Sequence, residues 1–166
     1  MQSYNKPKVD IPKTVFEKVF DGVGFIVFTG WIIYMIVIWN DLPAQVPGHY
    51  DGAGNITRMG SKMELIILPV IAGFLTVFLS FIEKHPEWHN YINLNENNIE
   101  FQYKNSRMML NVLKNIMIII FAFLSWRTIQ VGLGKAESLG AWFMLVFLAL
   151  TFLPMLFFII RSVRHK

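Results

Sequence analysis

His49, Asp51, Arg58 and Lys62 crowd into one Gly- and Pro-rich stretch, residues 40–62. An imidazole, a carboxylate and two cations at such close quarters can grip a charged or peptidic partner. Pro43 and Pro47 stiffen the first half and so reduce the entropy lost on binding. The plainer reading is a turn-rich connector whose charges are solvated. A second group is Asn111, Lys114 and Asn115, whose i, i+3, i+4 spacing puts all three on one helix face. A lysine within a membrane span costs about 2.5–3.5 kcal/mol at the centre on insertion scales, which makes it a functional candidate by default. Lys114 can also snorkel to the helix end, leaving the asparagines in ordinary interhelical hydrogen bonds. Glu64 is a further polar residue at the head of an apolar run, able to pair with Lys62 or the loop, or simply to stay wet.

A third group is His85-Pro86-Glu87-Trp88-His89. Two imidazoles at i and i+4 with a carboxylate form a workable zinc set. The metalloprotease order is His-Glu-x-x-His, however, and here Glu87 lies midway between the histidines, directly after a proline. No third ligand is evident, and His49 falls on the other side of the membrane. The expectation is therefore an interfacial cap anchored by Trp88, with no metal and no cofactor. The sequence contains no cysteine, which removes disulfides, thiolate catalysis and Cys-ligated metal.

The elements that must carry these residues follow from where the charges fall. Hydrophobic residues make up 54% of the 166 and charged ones 16%, against about 25% charged in an ordinary soluble domain. The charges gather in 1–21, 40–64, 83–114, 127–137 and 161–166, and the sequence between is almost purely apolar. A helix needs about 20 apolar residues to cross a bilayer core. Four runs qualify, at about 22–39, 63–82, 108–126 and 139–160. The reading is an all-α polytopic membrane protein, one domain over 1–166. A short interfacial helix is expected over 10–20, capped by Asp10 or Thr14. The outer loop is expected to be ordered, with Asp51-Gly52-Ala53-Gly54-Asn55 reversing the chain between Val46–Tyr50 and Ile56–Met59. Pro69, Ala72, Gly73, Thr76 and Ser80 form a stripe of small residues suited to close helix packing.

Eleven lysines and arginines then lie on one side, in the N-terminal segment, the connection into the third span and the C-terminus. Four lie on the other: Arg58, Lys62, Arg127 and Lys135. The positive-inside rule puts both termini in the cytoplasm. No zinc-finger spacing, phosphate loop or basic helix with interleaved aromatics points to nucleic acid.

Leu42-Pro43, Pro47, His49-Tyr50-Asp51, Gly54 and Gly60-Ser61-Lys62, leading into an apolar helix, resemble a bacterial membrane domain of unknown function. That domain forms the N-terminal part of the SdpI-type toxin-immunity proteins. Asn90-Tyr91, Asn95-Glu96-Asn97-Asn98, Gln102-Tyr103 and the Met-Met-Leu opening the third span extend the resemblance over roughly residues 15–130. Met59 stands where the family usually has an aromatic, and Ile92 where a proline often follows Asn-Tyr. SdpI-type proteins carry a further C-terminal membrane domain, so the resemblance implies a stand-alone relative in the bacterial cell membrane. It also implies protection against a secreted membrane-active peptide, with sequestration of a cytoplasmic regulator at the membrane; the inner loop 84–106 is where such a partner would tether. The leading expectation is a non-enzymatic protein binding a peptide toxin or amphiphile through His49, Asp51, Arg58 and Lys62. The alternatives are an oligomeric transporter or channel subunit using Glu64, Thr76, Asn111, Lys114 and Asn115, and a membrane metalloenzyme using His85, Glu87 and His89.

Overall fold

The computed structural model describes residues 6–92 and 94–165, so that Lys166, one of the counted cations, lies outside the described residues. Four long helices alternate in direction: α1 (Val15–Ile38), α2 (Ile67–Glu83), α3 (Ile99–Gly132) and α4 (Trp142–Arg164). Short 3-10 turns extend α1 to Asp41 and start α2 from Lys62, and all four helices are long and apolar enough to cross a membrane. α3 is central and packs against each of the other three. Between α1 and α2 a two-stranded antiparallel sheet, β1 (Gln45–Tyr50) and β2 (Ile56–Ser61), adds a small β element to the expected helical architecture.

The expected spans coincide with these helices, with α4 starting three residues later than the expected 139. The separate interfacial helix over 10–20 requires correction. Residues 10–14 have no regular structure, and 15–20 are the first turns of α1. Thr14 is the cap: its hydroxyl accepts from Glu17 N at 3.2 Å, while Glu17 Oε2 accepts from Thr14 N at 2.7 Å. These reciprocal bonds satisfy two donors that a helix start otherwise leaves unpaired. α3 begins nine residues before the expected span. Its first turns hide Gln102, Asn105 and Arg107 from the surroundings by bonding them to α4 and to the N-terminal segment.

Burial is inverted relative to a soluble protein. Phe25, Ile26, Val37, Phe74, Val77 and Leu145 are each at least two-thirds exposed, whereas Glu17, Asn111 and Ser125 are fully buried. Hydrocarbon solvates apolar side chains at no cost but offers polar groups no partner, so the latter turn inward. An apolar cluster of Trp31, Met35, Leu42, Val46, Leu65, Ala72 and Ile129 fills the bundle towards the sheet.

The sheet lies against that end of the bundle, with Val46 on its inner face and only 1% exposed. Its register slips beside Pro47, which has no N–H to give to the ladder. At the turn, the Asp51 carboxylate accepts from Ala53 N at 2.9 Å, Asn55 N at 2.8 Å and Asn55 Nδ2 at 3.1 Å. Gly54, at φ +81°, abuts Gly140, at φ +97°, and Leu139 N donates to Gly54 O at 3.0 Å. The hairpin tip is thereby fastened to the connection between α3 and α4.

Candidate functional site

Fastening the tip leaves a cleft of about 450 Å³ between the hairpin, the start of α2, the end of α3 and the start of α4. Leu65, Leu68, Leu124, Phe143 and Met144 give it apolar walls, and His49, Asp51, Arg58 and Glu64 line it as well. Arg58 is held by three hydrogen bonds. Its Nη1 and Nη2 donate to Glu64 Oε1 and Oε2 at 3.1 and 2.7 Å, and Nη2 also donates to Gly48 O at 3.1 Å. The missing side chains of Gly48 and Gly60 make room for this pair; a Cβ on Gly48 would stand 2.7 Å from Arg58 Nη2. A bidentate arginine with a carboxylate partner presents both signs of charge beside an apolar wall. That combination suits an amphipathic ligand.

The residues expected at this end do not act as one group. His49 faces its strand neighbour, with Nδ1 at 2.6 Å from Thr57 Oγ1. Asp51 builds the turn; hydrogen bonds from the Asn55 backbone and side chain, with smaller ones from Ala53 and Gly54, hold its carboxyl below the ordinary value. Lys62 does not line the cleft. Its ammonium bonds Trp39 O at 3.2 Å and sits 5.3 Å from the Trp39 ring centre. Glu64, grouped with the intramembrane polar residues but also expected to be able to pair with Lys62 or the loop, pairs with the loop residue Arg58 rather than with Lys62. Sequence reasoning missed Tyr50 and Thr128, whose hydroxyls meet at 3.3 Å, and burial raises the Tyr50 phenol above its usual range. It also missed Phe143 and Met144, because nothing local in their sequence says which loop they will face.

The second expected group is a site of a different kind. Asn111, Lys114 and Asn115 do share one inward face, but Lys114 does not snorkel: its side chain is 3% exposed. Its ammonium lies 3.0 Å from Asp21 Oδ1 on α1 and 2.6 Å from Glu83 Oε1 at the end of α2. Lys13 bridges the same two acids at 2.7 and 2.8 Å. Asn111 and Asn115 both donate to Asp21 Oδ1, at 2.7 and 3.1 Å. One turn nearer the helix ends, Arg107 grips Glu17 through Nε at 2.7 Å and Nη2 at 3.1 Å. Arg107 also donates to the carbonyls of Ile11 and Pro12. Burial disfavours the Lys13 ammonium, yet its bonds to Asp21 and Glu83 outweigh this and hold its pKa above the ordinary lysine value. Three acids face three bases, so the cluster joins all of α1, α2 and α3 with no net charge.

His85, Glu87 and His89 have separate duties. His85 Nδ1 lies 3.1 Å from Glu87 Oε1, and its ring stacks on Trp88 at 4.1 Å. His89 Nε2 is 3.0 Å from Ile82 O, which can only accept, so Nε2 carries the proton and Nδ1 accepts from Ser106 Oγ at 2.6 Å. Burial lowers the His89 pKa. Among the described residues no three His, Asp or Glu side chains are grouped as a metal would need.

The hairpin and the 3-10 turn that starts α2 thus supply the charged lining of the cleft. Residues 25–73 match the family described as a domain of unknown function, DUF1648. The match takes in His49, Asp51, Arg58, Lys62 and Glu64, and leaves out Glu17, Asp21, Glu83 and Lys114. An uncharacterized protein of Archaeoglobus fulgidus is 33% identical over 52 residues, which are 31% of this chain and 28% of that protein. The chain therefore spans less than a third of that relative's length. No solved structure matches.

Proposed function

We propose that this chain is a non-enzymatic protein of the bacterial cell membrane, of the toxin-immunity or accessory type, which binds a membrane-active peptide or amphiphile in the hairpin cleft. The observation carrying this reading is the pairing, in one cleft, of apolar walls with the Arg58–Glu64 ion pair. A membrane-active peptide is itself apolar on one side and charged on the other, so both halves of such a ligand find a counterpart. The DUF1648 match over the hairpin supports locating a shared role there. Orientation rests on charge. Lys13, Arg107 and Lys114 are ion-paired within the bundle and do not report sidedness. Setting them aside leaves eight cations against four, so the termini face the cytoplasm and the hairpin faces outwards. A transporter or channel reading draws less support, because Asn111, Lys114 and Asn115 are already committed to partners at one end of the bundle.

The test is killing of a sensitive Gram-positive host by a panel of membrane-active peptide toxins, with and without this chain. Expression is expected to shift the killing curve, and Arg58→Ala to remove about tenfold of that protection, the size of one charge-assisted contact. Protection untouched by both Arg58→Ala and His49→Ala, at equal protein levels, would move the site elsewhere. No protection against any toxin would sink the immunity reading.

A further inference from the structure

We infer that a second cavity, opening sideways between α1 and α2, seats a bilayer phospholipid whose headgroup carries N–H donors. α1 and α2 each pack along α3 and leave about 400 Å³ between them. This volume lies within the usual range of small-molecule sites. The mouth is flanked by Phe25 and Val77, which are 71% and 73% exposed on the face that meets hydrocarbon. Gly73 keeps the space clear on α2, a Cβ there meeting only Phe28 at 3.6 Å, while Gly24 makes room for the Asn115 side chain on the floor. Bilayer lipid is what surrounds such an opening.

The floor selects among lipids. It is made of Asp21, Ser80, Lys114 and Asn115. Of the charged pair, Asp21 keeps 30% of its side chain exposed and Lys114 only 3%, so an occupant meets the carboxylate rather than the ammonium. Asp21 Oδ1 already takes Lys114, Asn111 and Asn115, whereas Oδ2 takes only Lys13, so the spare acceptor capacity at the floor lies on Oδ2 and calls for a donor. Lys13 and Lys114 balance Asp21 and Glu83, which leaves no net charge to draw an anionic headgroup. The depth also fits. Lys18, one turn before Asp21, and Lys84, next to Glu83, are both exposed, which sets the headgroup level beside the floor. A primary-amine zwitterion such as phosphatidylethanolamine meets all three conditions, with its ammonium at Asp21 and one chain running up towards Phe28 and Ile118.

The experiment uses the full chain in nanodiscs of equal phosphatidylethanolamine, phosphatidylcholine and phosphatidylglycerol with identical acyl chains. The protein is then stripped in detergent, and the retained lipid is read by native mass spectrometry. Phosphatidylethanolamine is expected to be retained about fivefold over the trimethylated lipid, which has no N–H to give. Gly73→Leu, which fills the cavity and leaves the ion pairs alone, is expected to abolish that preference. Equal retention of the three lipids by the wild-type chain would overturn the proposal, whether or not the variant folds. So would a Gly73→Leu protein that keeps the preference. Arg58→Ala should retain phosphatidylethanolamine like the wild type; its loss there would assign the lipid to the hairpin cleft instead.

Discussion

Lys114 shows what a single side chain's spacing reveals and what it hides. Its place on one face with Asn111 and Asn115 is legible from the i, i+3, i+4 pattern, because helix geometry is local. Its partners are not: Asp21 and Glu83 lie far away in sequence and meet it only once α1 and α2 have packed on α3. Removing one member of a buried pair leaves the others uncompensated, at about 3–5 kcal/mol. Lys114→Met is therefore expected to unfold earlier in a denaturant titration by about that amount, and Glu83→Gln in the same chain to recover part of the loss. Arg107→Lys should also destabilise, by about 2–3 kcal/mol in the same titration, since an ammonium cannot span Glu17 and the two carbonyls. His89 predicts a pH dependence. Burial lowers its folded pKa below the ordinary 6.5, so the unfolded chain takes up a proton first as pH falls. Its contribution is complete above pH 6.5 and is lost progressively below it, down to the folded pKa. Thermal melts from pH 8 to pH 5 should show this decline, and His89→Gln should flatten it.

Among the elements, the spans were legible because long apolar runs can hardly mean anything else, and the hairpin because Asp51 to Asn55 is a turn by composition. Two boundaries were not. α1 begins at Val15 because Thr14 and Glu17 cap each other, which leaves no break at residue 20. α3 begins at Ile99 because its polar first turns are buried, against the usual equation of polarity with exposure. The cleft was legible only on its hairpin side; the α4 wall depends on how the tip is fastened. Gly54 does the fastening, at a positive φ and with Gly140 backbone 2.7 Å from where a Cβ would stand. An alanine there is strained in both respects. Gly54→Ala is expected to speed amide exchange across Gln45–Ser61 while leaving exchange in α3 near wild-type rates, as hydrogen–deuterium exchange can measure. If α3 loosens equally, the hairpin and the bundle open as one unit.

For the whole molecule, the sequence's lack of cysteine makes sidedness directly measurable. Gly52→Cys at the exposed turn should react with a membrane-impermeant maleimide on intact cells, and Arg164→Cys only after permeabilisation. The reverse pattern would invert the proposed orientation. The inverted burial also bears on biogenesis. α3 has the least apolar stretch of the four helices and carries Arg107 and Lys114, whose ion-pair partners Glu17, Asp21 and Glu83 lie on α1 and α2. A ribosome delivers the chain from its N-terminus, so Glu17 and Asp21 emerge first and Glu83 next, each near a helix end where water can still reach it. The third helix emerges last of the three, into a membrane already furnished with its acids. The order of synthesis thus spares the translocon the release of an unpaired base into lipid.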